Sequence, residues 1–186
     1  FAQAFANTVP FSEGIGFIAH VDDENPNAVD YPYSVISHDL AHQWWAHQVI
    51  GANVKGSTML SESMAEYSSL KVLEKTYGHF QMRKFLKESL DSYLTGRGNE
   101  PFKENPLTLT ENQQYIHYNK GAVVMYAMSD FMGEDKFNNF LKDYVSRVAF
   151  QEAPYTTSLE FVDLLKQHTP DSLQYLIKDM YETITV

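Results

Sequence analysis

The sequence predicts a mainly α-helical domain, a helical bundle with a small extended part at its N-terminal end. Apolar residues recur at spacings of three and four in successive segments, which is the pattern of amphipathic helices. Glycine and proline stand mostly between these segments, and strand-like patterning is confined to the residues before them. The chain has 186 residues and no cysteine. A domain of that size buries about 70% of its unfolded surface, so it needs no disulfide.

The extended part precedes the first helix. Residues 14–20 are typical of a short strand after a turn. Asp30 is a suitable N-cap for the helix that follows, with Pro32 in its first turn. That helix is expected to cover residues 31–50 and to stop at Gly51.

Further helices follow, most of them bounded by a residue that favours a start or a stop. Gly78 and Gly133 are expected to end two of them, and the run from Thr95 to Pro101 is expected to break another. Apolar positions repeat at helical spacing within them, so each can present one face to a common core. The expected helices cover residues 60–77, 79–94, 118–132, 134–149, 158–167 and 170–182.

Composition limits the classes of partner. Acidic residues outnumber basic ones by 24 to 14, and the formal net charge is −10. The average surface therefore repels a nucleic-acid backbone, and we expect no nucleic-acid partner. No apolar run approaches the roughly 20 residues that cross a bilayer, so we expect no membrane contact from this segment. The compartment stays open, and the missing signal-peptide pattern and initiator methionine lead us to expect a piece of a longer chain.

Two histidines four residues apart form the first candidate site. Four residues advance a helix by about 400°, so His38 and His42 project from one face, where both imidazoles can bind one metal ion. The same pair could instead be partly buried helical histidines without a ligand. His47 follows His42 by five residues, which turns it about 140° from that face and argues against a third ligand on this helix.

The neighbours of this pair strengthen the case for a metal. Asp39 places a carboxylate directly after the first histidine, and a second helix with Glu62 and Glu66 begins after a short loop. Two histidines and one carboxylate leave one position of a tetrahedral zinc ion open, which is typical of a catalytic site. Alternatively, Glu62 could be a carboxylate that the helix dipole stabilises, and Glu66 could lie on a solvated helix face.

Four stretches resemble the catalytic, thermolysin-like domain of the M1 family of zinc aminopeptidases. The family carries His-Glu-Leu-Ala-His-Gln-Trp, Leu-Asn-Glu-Gly-Phe-Ala, Tyr-x-Lys-Gly and Gly-x-Met-Glu-Asn. The corresponding stretches here are His38–Trp44, Leu60–Ala65, Tyr118–Gly121 and Pro10–Gly14. The resemblance implies a single M1-like peptidase domain over residues 1–186 that binds one Zn²⁺ ion and a peptide substrate.

The resemblance also implies the core of a mechanism. His38, His42 and Glu62 would bind the zinc ion, and Asp39 would be the general base on a zinc-activated water that hydrolyses the N-terminal peptide bond. The family has glutamate where this chain has Asp39. A carboxylate one methylene shorter lies back by about 1 Å, which can cost on the order of 100-fold in rate. The alternatives are a zinc-binding domain that holds peptide ends without turnover, and a helical interaction domain without metal.

Three further roles follow from the same resemblance. Tyr118 would donate a hydrogen bond to the developing oxyanion, although a tyrosine on an amphipathic helix is more often a core residue. Glu13 would hold the positively charged N-terminus of the substrate, although Ser-Glu-Gly is also ordinary turn chemistry. Glu66 would orient a ligand histidine through its other ring nitrogen.

Within the family, the chain resembles M1-like domains that some bacteria carry inside longer, membrane-embedded chains. We therefore expect a longer parent chain, with a membrane-embedded parent as one expectation. The family's N-terminal β-domain, which helps to hold the amino end of the substrate, has no counterpart in this segment. The substrate pocket is expected to be incomplete here.

Overall fold

Helices form nearly all the regular structure in the computed structural model, which describes residues 1–22 and 24–184. The α-helices are α1 (Tyr31–Ala41), α2 (Met64–Tyr77), α3 (Met82–Asn99), α4 (Gly121–Met132), α5 (Glu134–Val148), α6 (Ser158–His168) and α7 (Gln174–Ile177). Within the described ranges, extended backbone pairs only through isolated bridges, such as the one between Ala2 and Phe11. The predicted mainly α-helical class is confirmed.

Tighter and wider helical turns extend several of these helices. Wider π-helical turns cover Gly14–Ile18, Met59–Ser63, Tyr115–Lys120 and Lys178–Glu182, and 3₁₀ turns cover His79–Gln81, Leu107–Leu109 and Asp171–Leu173. Two of the π-helical turns lead directly into α2 and α4. The helices predicted over residues 60–77 and 118–132 are therefore confirmed.

The first helix is capped as predicted but is shorter. The Asp30 carboxylate accepts a hydrogen bond of 2.9 Å from the N–H of Tyr33. α1 then ends at Ala41 rather than near residue 50. Ala46 has a φ of 104°, in the left-handed region where a right-handed helix cannot continue. The prediction failed because this turn depends on contacts beyond the local apolar pattern.

The segment 14–20 is not the strand that the sequence predicts. Gly14–Ile18 forms a π-helical turn, which a 2.8 Å hydrogen bond from the Ala19 N–H to the first carbonyl of the turn closes. The ring of Phe11 lies against Gly16, where a β-carbon would be 2.2 Å from a ring carbon. Only glycine allows this close approach, so the segment packs on its own neighbour instead of pairing with a strand.

α3 is longer than predicted. The sequence predicts an end near residue 94, before Gly96 and Gly98, but the helix continues to Asn99. Gly96 faces Tyr115, and a β-carbon at Gly96 would lie 2.4 Å from the β-carbon of Tyr115. This glycine is therefore a contact position inside the helix rather than a stop signal.

The C-terminal helices agree with the prediction more closely. α5 begins after Gly133 and ends one residue before the predicted boundary. α6 begins at a capping box, in which Thr157 and Glu160 each bond to the backbone of the other. The segment predicted over 170–182 is helical but consists of a 3₁₀ turn, the short α7 and a π-helical turn.

The core joins α2, α4, α5 and α6. Many of its fully buried side chains are aromatic or carry sulfur: Met59, Met64, Phe137, Phe140, Tyr144, Phe161 and Tyr181. α2 also packs against α3 and against α1, which carries the first part of the predicted site. In the described part of the chain, no helix has both the length and the apolar character needed to cross a membrane.

Candidate metal centre

α1 and the π-helical turn before α2 bring the three predicted ligands together. The Nε2 atoms of His38 and His42 lie 3.1 Å apart. Oε2 of Glu62 lies 3.1 Å from the Nε2 atom of His38 and 3.3 Å from that of His42. Among the described residues, this is the single group of three metal-binding side chains whose ligand atoms converge.

These separations fit a tetrahedral zinc ion. With zinc–ligand distances of about 2.0–2.1 Å, the ligand atoms of a tetrahedral site lie about 3.3–3.4 Å apart. The three atoms of His38, His42 and Glu62 lie 3.1–3.3 Å apart, close to this spacing. Three protein ligands leave one position for water or substrate, as in catalytic zinc sites.

His42 is held in the tautomer that a metal ligand needs. Its Nδ1 atom lies 2.8 Å from the carbonyl oxygen of Trp45. A carbonyl only accepts, so Nδ1 carries a proton, and Nε2 is the nitrogen that a metal ion would use. The early end of α1 therefore serves the site, because the turn after Ala41 aims this carbonyl at the ring.

Glu66 lies on the other side of His38, one turn along α2 from Glu62. Its Oε1 atom is 3.1 Å from Nδ1 of His38. The distance is that of a hydrogen bond, but the alignment is not ideal, and Nδ1 has no well-directed partner. A carboxylate in this position orients a ligand histidine through its second nitrogen, which is the position that the predicted role of Glu66 requires.

The site concentrates charge in a partly buried space. Burial alone would lower the pKa of His38, but its interactions with Glu62 and Glu66 raise that pKa to about 10. Burial would raise the pKa of Glu62, but hydrogen bonds with both histidines hold it well below its usual range. In the metal-free protein His38 is therefore protonated and paired with carboxylates. A metal ion would replace that proton, because histidine binds metals in its deprotonated form.

Tyr118 lies beside the ligands. Its ring centroid is 5.7 Å from that of His38, and both residues line the same cleft. Burial raises the pKa of Tyr118, and the negative charge of Glu62 and a hydrogen bond with it raise that pKa further. The phenol stays protonated at neutral pH and can donate a hydrogen bond to an oxyanion in the cleft.

Glu62 and Tyr118 both lie on π-helical turns. Such turns are rare in proteins overall, and those that occur are often found at functional sites. Ser63 connects the two turns, since its hydroxyl donates a 2.7 Å hydrogen bond to the carbonyl of His117. A β-carbon at Gly121 would lie 2.2 Å from the Ser63 hydroxyl oxygen, so the glycine makes this approach possible. The sequence did not predict a role for Ser63, although Gly121 in the Tyr-x-Lys-Gly stretch was a signal of close packing.

Asp39 lies in the same cleft. The residue is 6% exposed and its side chain lines the cleft beside the two histidines. Burial raises the pKa of Asp39, and the nearby His38 and His42 offset part of that rise. A carboxylate with a raised pKa is better suited to accept and return a proton near neutral pH.

The cleft has a volume of about 490 Å³ and is acidic. Asp39, Glu62, Glu66 and Glu88 line it, whereas none of the described lining residues is lysine or arginine. Burial and the negative charge of Glu66 raise the pKa of Glu88. Such a cleft attracts a positively charged group. Glu88 could not be predicted from the sequence, because its place depends on how α3 packs across the cleft.

Glu13 is not brought to the metal centre. It directly precedes the Gly14–Ile18 turn, and its side chain is exposed. From this turn it is Ile15, rather than Glu13, that lines the cleft. The predicted contact of Glu13 with the substrate N-terminus stays a prediction.

Known proteins share this combination of sequence and fold. The family model described as Peptidase family M1 domain matches residues 17–181. The chain belongs to peptidase family M1. Human endoplasmic reticulum aminopeptidase 2 is 28% identical over 125 residues, which cover 64% of this chain and 13% of the human protein. Bovine aminopeptidase N is 29% identical over 145 residues, which cover 70% of this chain and 14% of the bovine protein.

A solved M1 structure has the same fold. The crystal structure of an M1 zinc metallopeptidase from Deinococcus radiodurans aligns with a TM-score of 0.68 at 19% identity. The alignment covers 100% of this chain and 37% of the Deinococcus chain. The predicted mainly helical M1 peptidase fold is confirmed, and the chain corresponds to only a part of the length of these relatives.

Proposed function

We propose that this chain is the catalytic segment of a zinc metallo-aminopeptidase that hydrolyses the N-terminal peptide bond of peptides. The observation that carries the proposal is the convergence of three ligand atoms, from His38, His42 and Glu62, within 3.1–3.3 Å of one another. Family membership supports it, because the matched relatives are named aminopeptidases.

The ligand set fits zinc in number, type and spacing. Two neutral imidazoles and one carboxylate are a common catalytic zinc set. The hydrogen bond from His42 to the Trp45 carbonyl, and the Glu66 carboxylate 3.1 Å from the second nitrogen of His38, support this ligand set. Zinc bound there would supply a Lewis acid that polarises the peptide carbonyl and lowers the pKa of a water molecule.

Two other side chains of the cleft would complete the reaction. Asp39 accepts a proton from the attacking water and passes it to the leaving amine. Tyr118 donates a hydrogen bond to the carbonyl oxygen as negative charge develops on it. Both residues line the cleft that holds the three ligands, which supports these roles.

The charge of the cleft supports a substrate with a free amino end. Its carboxylates include Glu88 and Glu66, and a substrate ammonium would be attracted to them. A mutant M1 zinc metallopeptidase from Deinococcus radiodurans, 22% identical with a TM-score of 0.63, has been crystallised with a Tyr-Ser-Ala substrate. We propose a peptide of this general kind as the ligand of the present cleft.

A second candidate function is peptide binding without turnover. Asp39 favours it, because the general base would sit about 1 Å farther from the water than a glutamate in the same position. This candidate shares the zinc site and the acidic cleft with the first. The two differ only in whether a peptide bond is broken.

Hydrolysis of an amino-acyl amide by the wild-type chain and by Asp39→Glu separates these candidates. We expect chelator-sensitive hydrolysis by the wild type and a rise of about 10- to 100-fold in Asp39→Glu, because the longer carboxylate reaches the water. Glu152→Gln, an exposed carboxylate far along the chain, is the control. Full zinc content with no hydrolysis in either form would favour binding without turnover.

A further inference from the structure

Lys120 has no role in the proposed reaction, although it lies two residues after Tyr118. Its Nζ atom is 2.6 Å from Oε1 of Glu104. Glu104 is 7% exposed, and the Lys120 side chain is 12% exposed. Charges buried to this extent require close partners, because desolvation is costly.

The Glu104 carboxylate has a donor on each of its oxygen atoms. Nε of Arg97 lies 3.1 Å from Oε2. The hydroxyl of Tyr93 lies 3.0 Å from one carboxylate oxygen and 3.1 Å from the other. The Lys120 ammonium also lies 5.6 Å from the centre of the Tyr93 ring. Glu104 thus ties α3, which carries Arg97 and Tyr93, to the turn that carries Lys120.

That turn is held from both sides. On the side of the metal ligands, Ser63 bonds to the carbonyl of His117. On the side of α3, Tyr115 packs against Gly96 and its ring stacks on that of Tyr93 at 6.1 Å. π-helical turns are rare, and this one has contacts outside its own backbone with Ser63, Gly96 and Glu104. Tyr118 lies between His117, which bonds to Ser63, and Lys120, which pairs with Glu104.

We propose that Glu104 is a positioning residue for Tyr118, acting through Lys120. Its carboxylate fixes the π-helical turn Tyr115–Lys120, so that the Tyr118 hydroxyl is presented to the metal centre. Glu104 itself is not among the residues that line the cleft, so it would act on the reaction only through Lys120 and the turn. The inference rests on the proposed aminopeptidase function for the part that Tyr118 plays in the reaction.

The test is a double-mutant cycle between Glu104→Gln and Tyr118→Phe. Glutamine keeps the shape of glutamate and removes its charge. We expect Glu104→Gln to lower kcat by roughly 10- to 100-fold, as a displacement of about 1 Å does, with an unchanged zinc content and KM. In the Tyr118→Phe background the same change should alter kcat by less than about 3-fold, because the two residues act as one unit.

Variants of Lys120 and a matched control complete the design. Lys120→Met should reproduce Glu104→Gln, and Lys120→Arg, which keeps a cation for Glu104, should retain most of the activity. Glu182→Gln is the control. Glu182 lies on another π-helical turn, Lys178–Glu182, where it pairs with Lys166 of α6, and it does not line the cleft. It should leave kcat unchanged.

A structural readout keeps the inference separate from the proposed function. Contacts between the ring protons of His38 and Tyr118, observed by NMR, should be present in the wild type and clearly weaker in Glu104→Gln. Equal losses of kcat in both backgrounds, or an intact ring contact in Glu104→Gln, would overturn the inference. If the wild type hydrolyses no peptide, the proposed function fails. The ring contact alone then decides whether Glu104 positions Tyr118. If Glu104→Gln does not fold, Lys120→Met and Lys120→Arg carry the same comparison.

Discussion

Glu66 and Tyr67 are neighbours on α2, yet they face regions of opposite character. Glu66 lies in the acidic cleft, 3.1 Å from the ring of His38. Tyr67 lies in the core, where its ring packs on that of Phe137 at 5.2 Å and its hydroxyl donates to Ser129 at 3.0 Å. One helix therefore forms the boundary between the reactive side of the chain and its apolar core.

The two regions treat polar atoms differently. In the core around α2, α5 and α6, the hydroxyls of Tyr67 and Tyr144 have neutral partners, Ser129 and Thr156. In the cleft, charged and ionisable groups crowd together and have mainly one another as partners. Such a cluster adds little to stability but is suited to a cation or a charged ligand. Substitutions in the cleft should therefore affect function, and substitutions in the core should affect stability.

The largest expected effect is the loss of a metal ligand. His42→Ala should reduce hydrolysis to the level of chelator-treated protein, because two ligands hold zinc far more weakly than three. The free energy of unfolding of the metal-free protein should change little. Elemental analysis and urea denaturation measure the two quantities, with His20→Ala as the control on an exposed histidine. Full zinc content in His42→Ala would contradict the expectation that substitutions in the cleft affect function.

The next effect lies in the core. Phe140 is fully buried among aromatic rings, with the ring of Phe161 at 5.0 Å. Phe140→Ala should lower the free energy of unfolding by about 3–5 kcal/mol, through lost burial and the cavity that remains. Phe131→Ala, at a residue 53% exposed, should cost less than about 1 kcal/mol. Folded Phe140→Ala should still bind zinc, and a loss of zinc from the folded protein would contradict the separation.

A smaller effect is expected from Tyr118→Phe. Removing one preorganised donor to an oxyanion typically costs about 100- to 1,000-fold in kcat. The zinc content should stay the same, because the phenol is not a ligand. Steady-state kinetics give the value, and Tyr175→Phe, at a residue 60% exposed, is the control. An unchanged kcat would remove Tyr118 from the reaction.

The smallest effect concerns Glu13. An exposed carboxylate that pairs with a substrate ammonium contributes little, so Glu13→Gln should raise KM by about 5-fold or less. The value of kcat should not change, because the contact would lie outside the reacting atoms. Peptide kinetics measure both constants. A KM identical to that of the wild type would assign the amino end of the substrate to other carboxylates of the cleft, such as Glu88.

The local parts of the site could be predicted from the sequence. His38 and His42 share a face because of helical spacing alone, and Glu62 and Tyr118 were recognisable within family motifs. The distances of 3.1–3.3 Å between ligand atoms were not predictable, since they depend on the packing of α1 against the turn before α2. Motif matching therefore identified the candidate ligands, and packing brings their atoms together.

The errors of prediction have a common physical origin. α1 does not reach residue 50, since Ala46 adopts a left-handed backbone conformation within a turn, which no apolar pattern encodes. α3 continues through Gly96 because that glycine receives Tyr115 from a distant part of the chain. Glu104 was overlooked for the same reason, since its partners Lys120 and Arg97 come from separate elements. From local sequence patterns alone, such a glycine is taken as the end of a helix, and such a charged residue is taken as exposed on the surface.

Zinc content after zinc-replete expression tests the central claim most directly. The three converging ligand atoms predict about one zinc ion per chain, removed together with any hydrolysis by a chelator and restored by added zinc. His42→Ala, expressed in the same way, should contain almost none. A wild-type zinc content near zero would contradict the assignment of His38, His42 and Glu62 as a metal centre.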